Sequence, residues 1–426
     1  MGKLEKYTSY QDSGVEWLGE IPEHWDVRKL RTCLKPLSIK NRPDLPLLSV
    51  TREQGVILRD VDDKDSNHNF IPDDLSGYKM VKSGQFAMNK MKAWQGSYGV
   101  SNYTGIVSPA YYIFELDGIE PSFFHKAIRS KAYIPFFTQA SDGVRIGQWD
   151  LSKSRMKEIP LYFPSKSEQI IIVSYIDEKA AQIDNAIGQK EKLIELLKEQ
   201  KHITINESVT KGLDKDVEFK DSNVEWIGTI PKHWNIEKGK RLFKQMKRPV
   251  REQDEIVTCF RDGVVTLRSN RRTEGFTNAL KEHGYQGIRK GDFIIHNMDA
   301  FAGAIGISDS DGKSTPVYAV CRPWDGNIVS SKYYAKYLRN LALQDFILSL
   351  AKGIRERSTD FRFKDFGELV YPLPPKEEQI QIVEYINKQI TKIDKAIDLQ
   401  QNYITKLKEY KASLIDSVVT GKVKVS

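Results

Sequence analysis

Two polar segments of the chain carry side chains that could recognise a ligand through directional hydrogen bonds. They read NKMKAWQGSYG at 89–99 and HNMDAFAGAIG at 296–306. Lys and Arg pair with guanine, Asn and Gln with adenine, and Asp with cytosine at base edges. These residue types therefore predict that both segments read DNA. The candidates are Lys90, Lys92, Trp94, Gln95, Ser97 and Tyr98 in the first segment, and His296, Asn297 and Asp299 in the second.

Further basic residues extend this prediction. FRDGVVTLRSNRR at 260–272 is rich in arginine, and the run at 238–251 holds seven Lys and Arg residues and no acid. Such a run suits phosphates, which give affinity without sequence information, although a solvated helix face would look the same. The added DNA-binding candidates are Arg145, Lys244, Lys247, Arg261, Arg268, Arg271, Arg272 and Arg355.

The motifs of catalysis are missing from the sequence. It contains neither the [DN]PP[FYW] nor the FxGxG motif of amino-methyltransferases. The seven histidines show no HExxH or other metal-ligand spacing, and the three cysteines form no CxxC pair. We therefore expect no catalytic residue, no metal site and no cofactor bound by this chain.

Composition narrows the class of protein. The net charge of +8 suggests a polyanionic partner, although many mildly basic proteins have none. The N-terminus has no apolar core typical of a signal peptide, and no apolar run approaches the ~18–20 residues of a membrane span. We expect a cytoplasmic protein with no membrane partner.

The elements that position the candidate residues occur twice. DSGVEWLGEIPEHW at 12–25 returns as DSNVEWIGTIPKHW at 221–234, identical at ten of fourteen positions. The two polar segments above, a pair at 143–150 and 353–360, and a pair at 163–187 and 373–397 repeat in the same order. The chain is therefore a tandem duplication with a period of about 210 residues.

Each repeat ends in a pattern typical of a long helix. Isoleucines, with a few Ala and Leu, recur at three- and four-residue steps from Ile172 to Leu197 and again from Ile382 to Leu407. Duplicated helices usually pair about a pseudo-two-fold axis, so we expect them to run antiparallel. The boundaries are 1–163 for the first α+β domain, 164–213 for the first helix, 214–373 for the second α+β domain and 374–426 for the second helix.

The α+β assignment rests on shorter patterns. Apolar and β-branched runs such as GDFIIHNM are broken by Gly, Asn, Asp and Pro, which predicts short strands. The segments 121–139 and 330–351 look helical. The Trp-rich repeated phrase is expected to seat the N-terminal arm of each domain, and a docking surface is the alternative.

With these motifs in place, the chain strongly resembles the specificity (S) subunit of type I restriction–modification systems. The resemblance rests on YQDSGVEWLGEIPEHWDVRKL at 10–30 and its copy, the PxxxEQxxI entries at 164 and 374, and SVVTGKV at 417–423. It implies two target-recognition domains separated by an antiparallel coiled coil, each reading half of a bipartite DNA site. It also implies two methyltransferase (M) subunits that hold S-adenosylmethionine and methylate adenine, and restriction (R) subunits that join through the complex.

Two other functions stay open on sequence grounds. A coiled-coil adaptor with basic protein-binding domains would share the charge and the helices. It would not need domains that differ at base-reading side chains. A fused methyltransferase is disfavoured by the missing motifs.

Overall fold

The computed structural model describes residues 5–60, 71–145, 148–271, 283–350 and 360–425. Its internal contacts divide the chain into two compact units. Unit 1 comprises 1–190 and 402–426, and unit 2 comprises 191–401. Each unit therefore combines one α+β domain with parts of both long helices. The domain boundaries drawn from the sequence stay a prediction.

Unit 1 is built from short strands and helices followed by the long helix α5, which continues into unit 2. The strands are β1 (Tyr10–Asp12), β2 (Glu20–Pro22), β3 (Asp26–Lys29), β4 (Leu34–Leu37), β5 (Leu48–Thr51), β6 (Gly55–Leu58), β7 (Lys79–Val81), β8 (Phe86–Asn89), β9 (Tyr98–Val100), β10 (Gly105–Val107), β11 (Tyr111–Leu116), β12 (Ser141–Arg145), β13 (Gln148–Leu151) and β14 (Pro160–Phe163). The helices are α1 (Leu30–Cys33), α2 (Pro121–Ile128), α3 (Ile134–Gln139), α4 (Lys153–Glu158) and α5 (Lys166–Lys211).

Unit 2 repeats this order and leads into the long helix α10, whose last part belongs to unit 1. The strands are β15 (Phe219–Asp221), β16 (Thr229–Pro231), β17 (Asn235–Lys238), β18 (Phe243–Gln245), β19 (Val257–Cys259), β20 (Val265–Leu267), β21 (Gln286–Ile288), β22 (Phe293–His296), β23 (Ile305–Ile307), β24 (Gly312–Ser314), β25 (Tyr318–Pro323) and β26 (Val370–Leu373). The helices are α6 (Gly239–Leu242), α7 (Ser331–Leu343), α8 (Phe346–Ser349), α9 (Phe363–Glu368) and α10 (Lys376–Val419).

The same sheet topology occurs in both units. The largest sheet has the order β4-β11-β8-β9 in unit 1 and β18-β25-β22-β23 in unit 2, and all of its pairings are antiparallel. The central strands β8 and β22 bury three consecutive residues each, which explains why their sequences are continuous apolar runs. The predicted α+β class and internal duplication are confirmed.

The long helices run antiparallel within unit 1. Glu168, at the start of α5, and Gly421, just after α10, both lie against the Trp25 ring. Farther along, Asp184 of α5 accepts hydrogen bonds of 2.7 and 2.6 Å from Lys411 of α10. Moving forward along α5 therefore means moving backward along α10.

Unit 2 repeats the arrangement with the two helices exchanged. Glu378, at the start of α10, accepts a hydrogen bond from Trp234, and Gly212, just after α5, lies against the same ring. Lys201 of α5 then pairs with Asp394 of α10 at 2.7 Å. The ion pairs Asp184–Lys411 and Lys201–Asp394 each contribute at most ~1 kcal/mol to stability, whereas each buried isoleucine of the stripe contributes ~1.5–3 kcal/mol. The predicted apolar stripe is therefore what joins the helices.

The repeated phrase seats each N-terminal arm on the first turn of a long helix. In unit 1, Glu168 contacts His24 Nε2 at 3.0 Å and accepts from Trp25 Nε1 at 3.3 Å. In unit 2, Glu378 contacts His233 Nε2 at 2.9 Å and accepts from Trp234 Nε1 at 3.0 Å. Both tryptophans are buried. The expected structural role of the phrase is confirmed.

The two segments that look helical in sequence are each divided into two helices. The break between α2 and α3 precedes Pro135, which occupies the first turn of α3 and restricts the residue before it. The break between α7 and α8 falls at Asp345, whose φ of 59° is left-handed. Neither segment is one continuous helix because these residues interrupt the hydrogen-bond ladder.

Candidate nucleic-acid interface

The first polar segment forms a loop between the buried strands β8 and β9. Asn89 ends β8, and its side chain accepts a hydrogen bond from the Met91 N–H at 3.1 Å. Residues 93–95 then form a single 3-10 turn, and Gly96 adopts a φ of 92°. This left-handed residue turns the chain into β9, a conformation that favours glycine. We call residues 90–97 loop 1.

The second polar segment forms a loop with the same backbone pattern between β22 and β23. His296 ends β22, and its Nδ1 accepts a hydrogen bond from the Asp299 N–H at 3.1 Å. Burial lowers the pKa of His296, which suits a neutral ring that accepts at Nδ1. Residues 300–302 form the 3-10 turn, and Gly303 has a φ of 85°. We call residues 297–304 loop 2.

The side chains of loop 1 differ in how much they are engaged. Trp94 stacks on Trp149 with ring centroids 5.1 Å apart, and Lys90 pairs with Asp150 at 3.3 Å. Both partners come from the β12–β13 hairpin. Lys92 is exposed and has no ion-pair partner among the residues that the structure describes, and Gln95 is half-buried. Lys92 and Gln95 are thus the loop 1 candidates best placed to meet a ligand.

Two candidates of the first polar segment do not lie at the surface. Tyr98 is 0% exposed and packs against Phe86 and Phe137, and Ser97 is 2% exposed. A duplex docked on the surface cannot reach either side chain. The prediction that Ser97 and Tyr98 contact DNA is therefore wrong, because Gly96 has already turned the chain towards the buried strand β9, which begins at Tyr98.

Loop 2 presents a different set of polar groups. Asp299 accepts a hydrogen bond from Arg261 at 2.8 Å, and its carboxylate lies 3.7 Å from His296 Nε2. The backbone of Asn297 is fixed on both sides, since its N–H donates to Val317 at 2.8 Å and its carbonyl accepts from Phe361 at 3.1 Å. Loop 2 and the neighbouring β19–β20 turn therefore offer a carboxylate and an arginine, where loop 1 offers a lysine and an amide.

The other arginines near loop 2 are already engaged. Arg271 makes a two-point contact with Asp262 and lies over the Phe260 ring, 4.6 Å from its centroid. Arg268 donates to Thr258 Oγ1 at 3.3 Å. Arg261 is also paired, with Asp299, but its side chain is 68% exposed against 40% for Arg271, so Arg261 is better placed for a base contact.

The structure describes no side chain for three predicted residues. Arg272 and Arg355 lie outside the described residues, and Arg145 is described only by its backbone, which ends β12.

The basic run at 238–251 is mostly occupied by intramolecular ion pairs. It forms β17, α6 and β18 rather than one helix. Lys244 lies over the Trp324 ring at 5.4 Å, and Lys247 is exposed. The paired cations are Lys238 and Lys240 with Glu368, Arg241 with Glu237, Arg248 with Asp292, and Arg251 with Asp311.

The expectation of a whole run of phosphate contacts is thus reduced to Lys244 and Lys247. Apart from Glu237, which pairs with Arg241 four residues on, the acids that pair with the other cations are supplied by distant parts of the chain. Asp292, for example, is fully buried and binds both Arg248 and Arg322.

Two arginines at the interface were missed in the sequence. Arg129 of unit 1 and Arg339 of unit 2 donate to the carbonyl oxygens of Gly96 and Gly303, at 3.3 and 3.2 Å. The repeat period relates the two arginines, so the internal comparison could have found them. They had been assigned only to segments that look helical.

Other kinds of site receive no support from the described part of the chain. There, no group of three or more His, Cys, Asp or Glu residues could hold a metal ion. No described helix has the length and apolarity needed to cross a membrane.

Two similar α+β units, each with a loop of common backbone and different side chains, define a duplicated recognition protein. A scan against protein-family models found no match. The chain is 21% identical over 435 residues to a putative type I restriction enzyme MjaX specificity subunit of Methanocaldococcus jannaschii, covering 96% of each. It is 21% identical to the EcoDI specificity subunit of Escherichia coli, covering 78% of this chain and 77% of that protein.

Solved structures agree on the fold. The HsdS subunit from Thermoanaerobacter tengcongensis aligns with a TM-score of 0.57 at 15% identity, over 97% of this chain and all of that one. A chain from a study of complex assembly in a type I R-M system aligns with a TM-score of 0.64 at 14% identity, over 94% and 98%. The predicted resemblance is confirmed: the chain is similar over nearly its whole length to type I restriction specificity subunits.

Proposed function

We propose that this chain is the DNA-binding specificity subunit of a type I restriction–modification enzyme. Each unit reads one half of a bipartite, asymmetric DNA site, and the long helices set the spacing between the halves. The observation that carries this proposal is the pair of loops: one backbone pattern presents Lys92 and Gln95 in loop 1, and in loop 2 it presents Asp299, which pairs with Arg261 of the β19–β20 turn. A common frame with different hydrogen-bonding groups is what reading two different half-sites requires.

The chain is itself non-catalytic and works through partners. Two methyltransferase subunits dock on it and hold S-adenosylmethionine, while this chain binds no cofactor. Restriction subunits join through the assembled complex, which acts in the cytoplasm on cellular DNA. The specificity subunits named above as relatives support this division of labour.

Equivalent apolar positions support two docking surfaces. Ile170 near the start of α5 is 54% exposed, and Ile380 at the same place in α10 is 42% exposed. We propose that a methyltransferase subunit covers this position in each repeat. Because each repeat supplies one, a stoichiometry of two methyltransferase subunits per chain is proposed.

Selection from a random duplex library tests the proposal. The full chain is mixed with its methyltransferase subunit, and bound duplexes are sequenced. We expect two short sequence blocks separated by a fixed gap. The Lys92→Ala variant should change only one block, whereas Lys157→Ala, an equal charge change at an exposed residue of α4, should change neither. Recovery of no enriched sequence would overturn the proposal in favour of a protein-binding adaptor.

A further inference from the structure

The turn of one β-hairpin lies beside loop 1 in unit 1, and the turn of the equivalent hairpin lies beside loop 2 in unit 2. In unit 1 the β5–β6 hairpin turns at 52–54, and in unit 2 the β19–β20 hairpin turns at 260–264. Arg52 and Arg261 occupy equivalent places on these turns, and their side chains are 67% and 68% exposed. Arg261 was predicted from the sequence, whereas Arg52 lay outside every predicted site.

A half-buried arginine joins the turn to the loop in unit 1. One guanidinium nitrogen of Arg129 donates to the carbonyl oxygens of Gly96 and Tyr98, at 3.3 and 2.5 Å. The other donates to those of Arg52 and Glu53, both at 2.9 Å. The planar fork of arginine therefore spans loop 1 and the turn at once, which a single ammonium group cannot do.

Unit 2 contains the same bridge. Arg339 Nε donates to the Gly303 carbonyl at 3.2 Å, and its Nη2 donates to the Arg261 carbonyl at 3.3 Å. The bridged atoms are again the left-handed glycine of the loop and the arginine of the turn. Because the arrangement recurs where the surrounding side chains differ, it belongs to the common frame.

Glycines bring the turn close enough for this bridge to form. A Cβ atom at Gly99 would lie 3.3 Å from the Gly55 Cα and 3.1 Å from the His125 ring. One at Gly306 would overlap the carbonyl oxygen of Gly263. The hairpin therefore packs backbone to backbone against β9 in unit 1 and against β23 in unit 2.

We propose that Arg52 is a base-reading residue of the first half-site, equivalent to Arg261 in the second, and that Arg129 and Arg339 are positioning residues that hold these turns against the loops. This inference rests on the proposed function. The chemistry of the ligand follows from the side chain: a guanidinium pairs best with the O6 and N7 atoms of guanine in the major groove.

Three variants of the full chain in its complex with the methyltransferase subunit test the proposal. Affinity is measured for the selected duplex and for duplexes changed in one half-site. Arg52→Ala should lower discrimination at the first half-site by roughly 10- to 100-fold and leave the second unchanged. Arg129→Lys keeps the charge but cannot bridge, so it should lower the same discrimination while affinity for random duplex stays within about twofold. Lys126→Gln, in α2 just before Arg129 but paired with Asp177, is the control and should leave the discrimination unchanged.

The double variant separates positioning from a purely structural role. If Arg129 acts by placing the turn, Arg52→Ala should cost much less discrimination in the Arg129→Lys background than in the wild type. Additive losses would overturn the positioning role. A uniform loss for all duplexes on Arg52→Ala, or no loss, would overturn the base-reading role.

The outcomes also separate this inference from the proposed function. A wild-type chain without any sequence preference would refute the proposed function. If the wild-type chain discriminates between duplexes, and the Arg52→Ala and Arg129→Lys variants both keep its sequence preference, only the roles proposed for Arg52 and Arg129 are refuted. Arg52 is exposed, so its variant stays informative even if Arg129→Lys fails to fold.

Discussion

Lowering the pH should destabilise strand β9 of unit 1 by protonating His125. The ring packs against Gly99, and its Nδ1 accepts a hydrogen bond from the Val100 N–H at 3.0 Å. Burial, with repulsion from Arg129 and Lys126, lowers the pKa of His125 to about 4. The folded chain therefore holds this histidine neutral in a range where the unfolded chain protonates it.

The sign and size of the effect follow from this difference. Because the pKa is lower in the folded state, protonation favours unfolding, and stability is lost as the pH falls below the ordinary value near 6.5. Between pH 7 and pH 5 the loss should be about 2 kcal/mol, and it should level off below pH 4. In exchange terms this is roughly a 30-fold loss of amide protection.

Hydrogen–deuterium exchange of the peptide covering 86–100 measures this loss after correction for intrinsic exchange rates. The control is His125→Gln, whose amide oxygen can accept the same hydrogen bond but does not titrate. Protection in this variant should fall far less between pH 7 and pH 5. Unit 2 is a poorer control, because burial also lowers the pKa of His296. Equal losses of protection in wild type and variant would refute the reasoning.

Three further predictions concern DNA. Replacing Lys92 by Ala should cost ~1–3 kcal/mol of discrimination at the first half-site only, measured by competition with single-base changes, and an even loss at both half-sites would contradict a base contact. Replacing Lys247 by Ala should weaken binding to all duplexes alike and lower the slope of log affinity against log salt by about one, whereas a changed sequence preference would speak against a phosphate contact. Inserting four residues after Leu197 adds about one helical turn, so sequencing of methylated sites should show both half-sites retained with altered spacing, and unchanged spacing would remove the ruler role.

Periodic and repeated features could be read from the sequence. The stripe from Ile172 to Ile194 is buried in α5 as predicted, because a helix that pairs along its length must repeat its apolar side chains. The sequence duplication predicted that the fold of the first half would recur in the second half. Loop 1 and loop 2 could be predicted because they occupy equivalent positions in the two repeats but carry different polar residues.

Features that depend on contacts between distant segments could not be read. Ser97 and Tyr98 look like part of a polar loop, but burial depends on where Gly96 turns the chain. The cations of the 238–251 run look free because their acids, such as Glu368, lie far away in sequence. Local composition reports charge, whereas pairing depends on the tertiary fold.

The common frame explains how two halves of one chain can differ in specificity without differing in fold. Gly96 and Gly303 set the same turn, and Arg129 and Arg339 hold it through carbonyl oxygens that every residue possesses. Bonds to backbone atoms place no demand on the side chains that the loops display. The equivalent positions of the two loops can therefore hold Lys92 in one repeat and Asp299 in the other with little effect on the backbone. The charge offered to a ligand is then opposite in the two units, although the side chains occupy the same place in the loop.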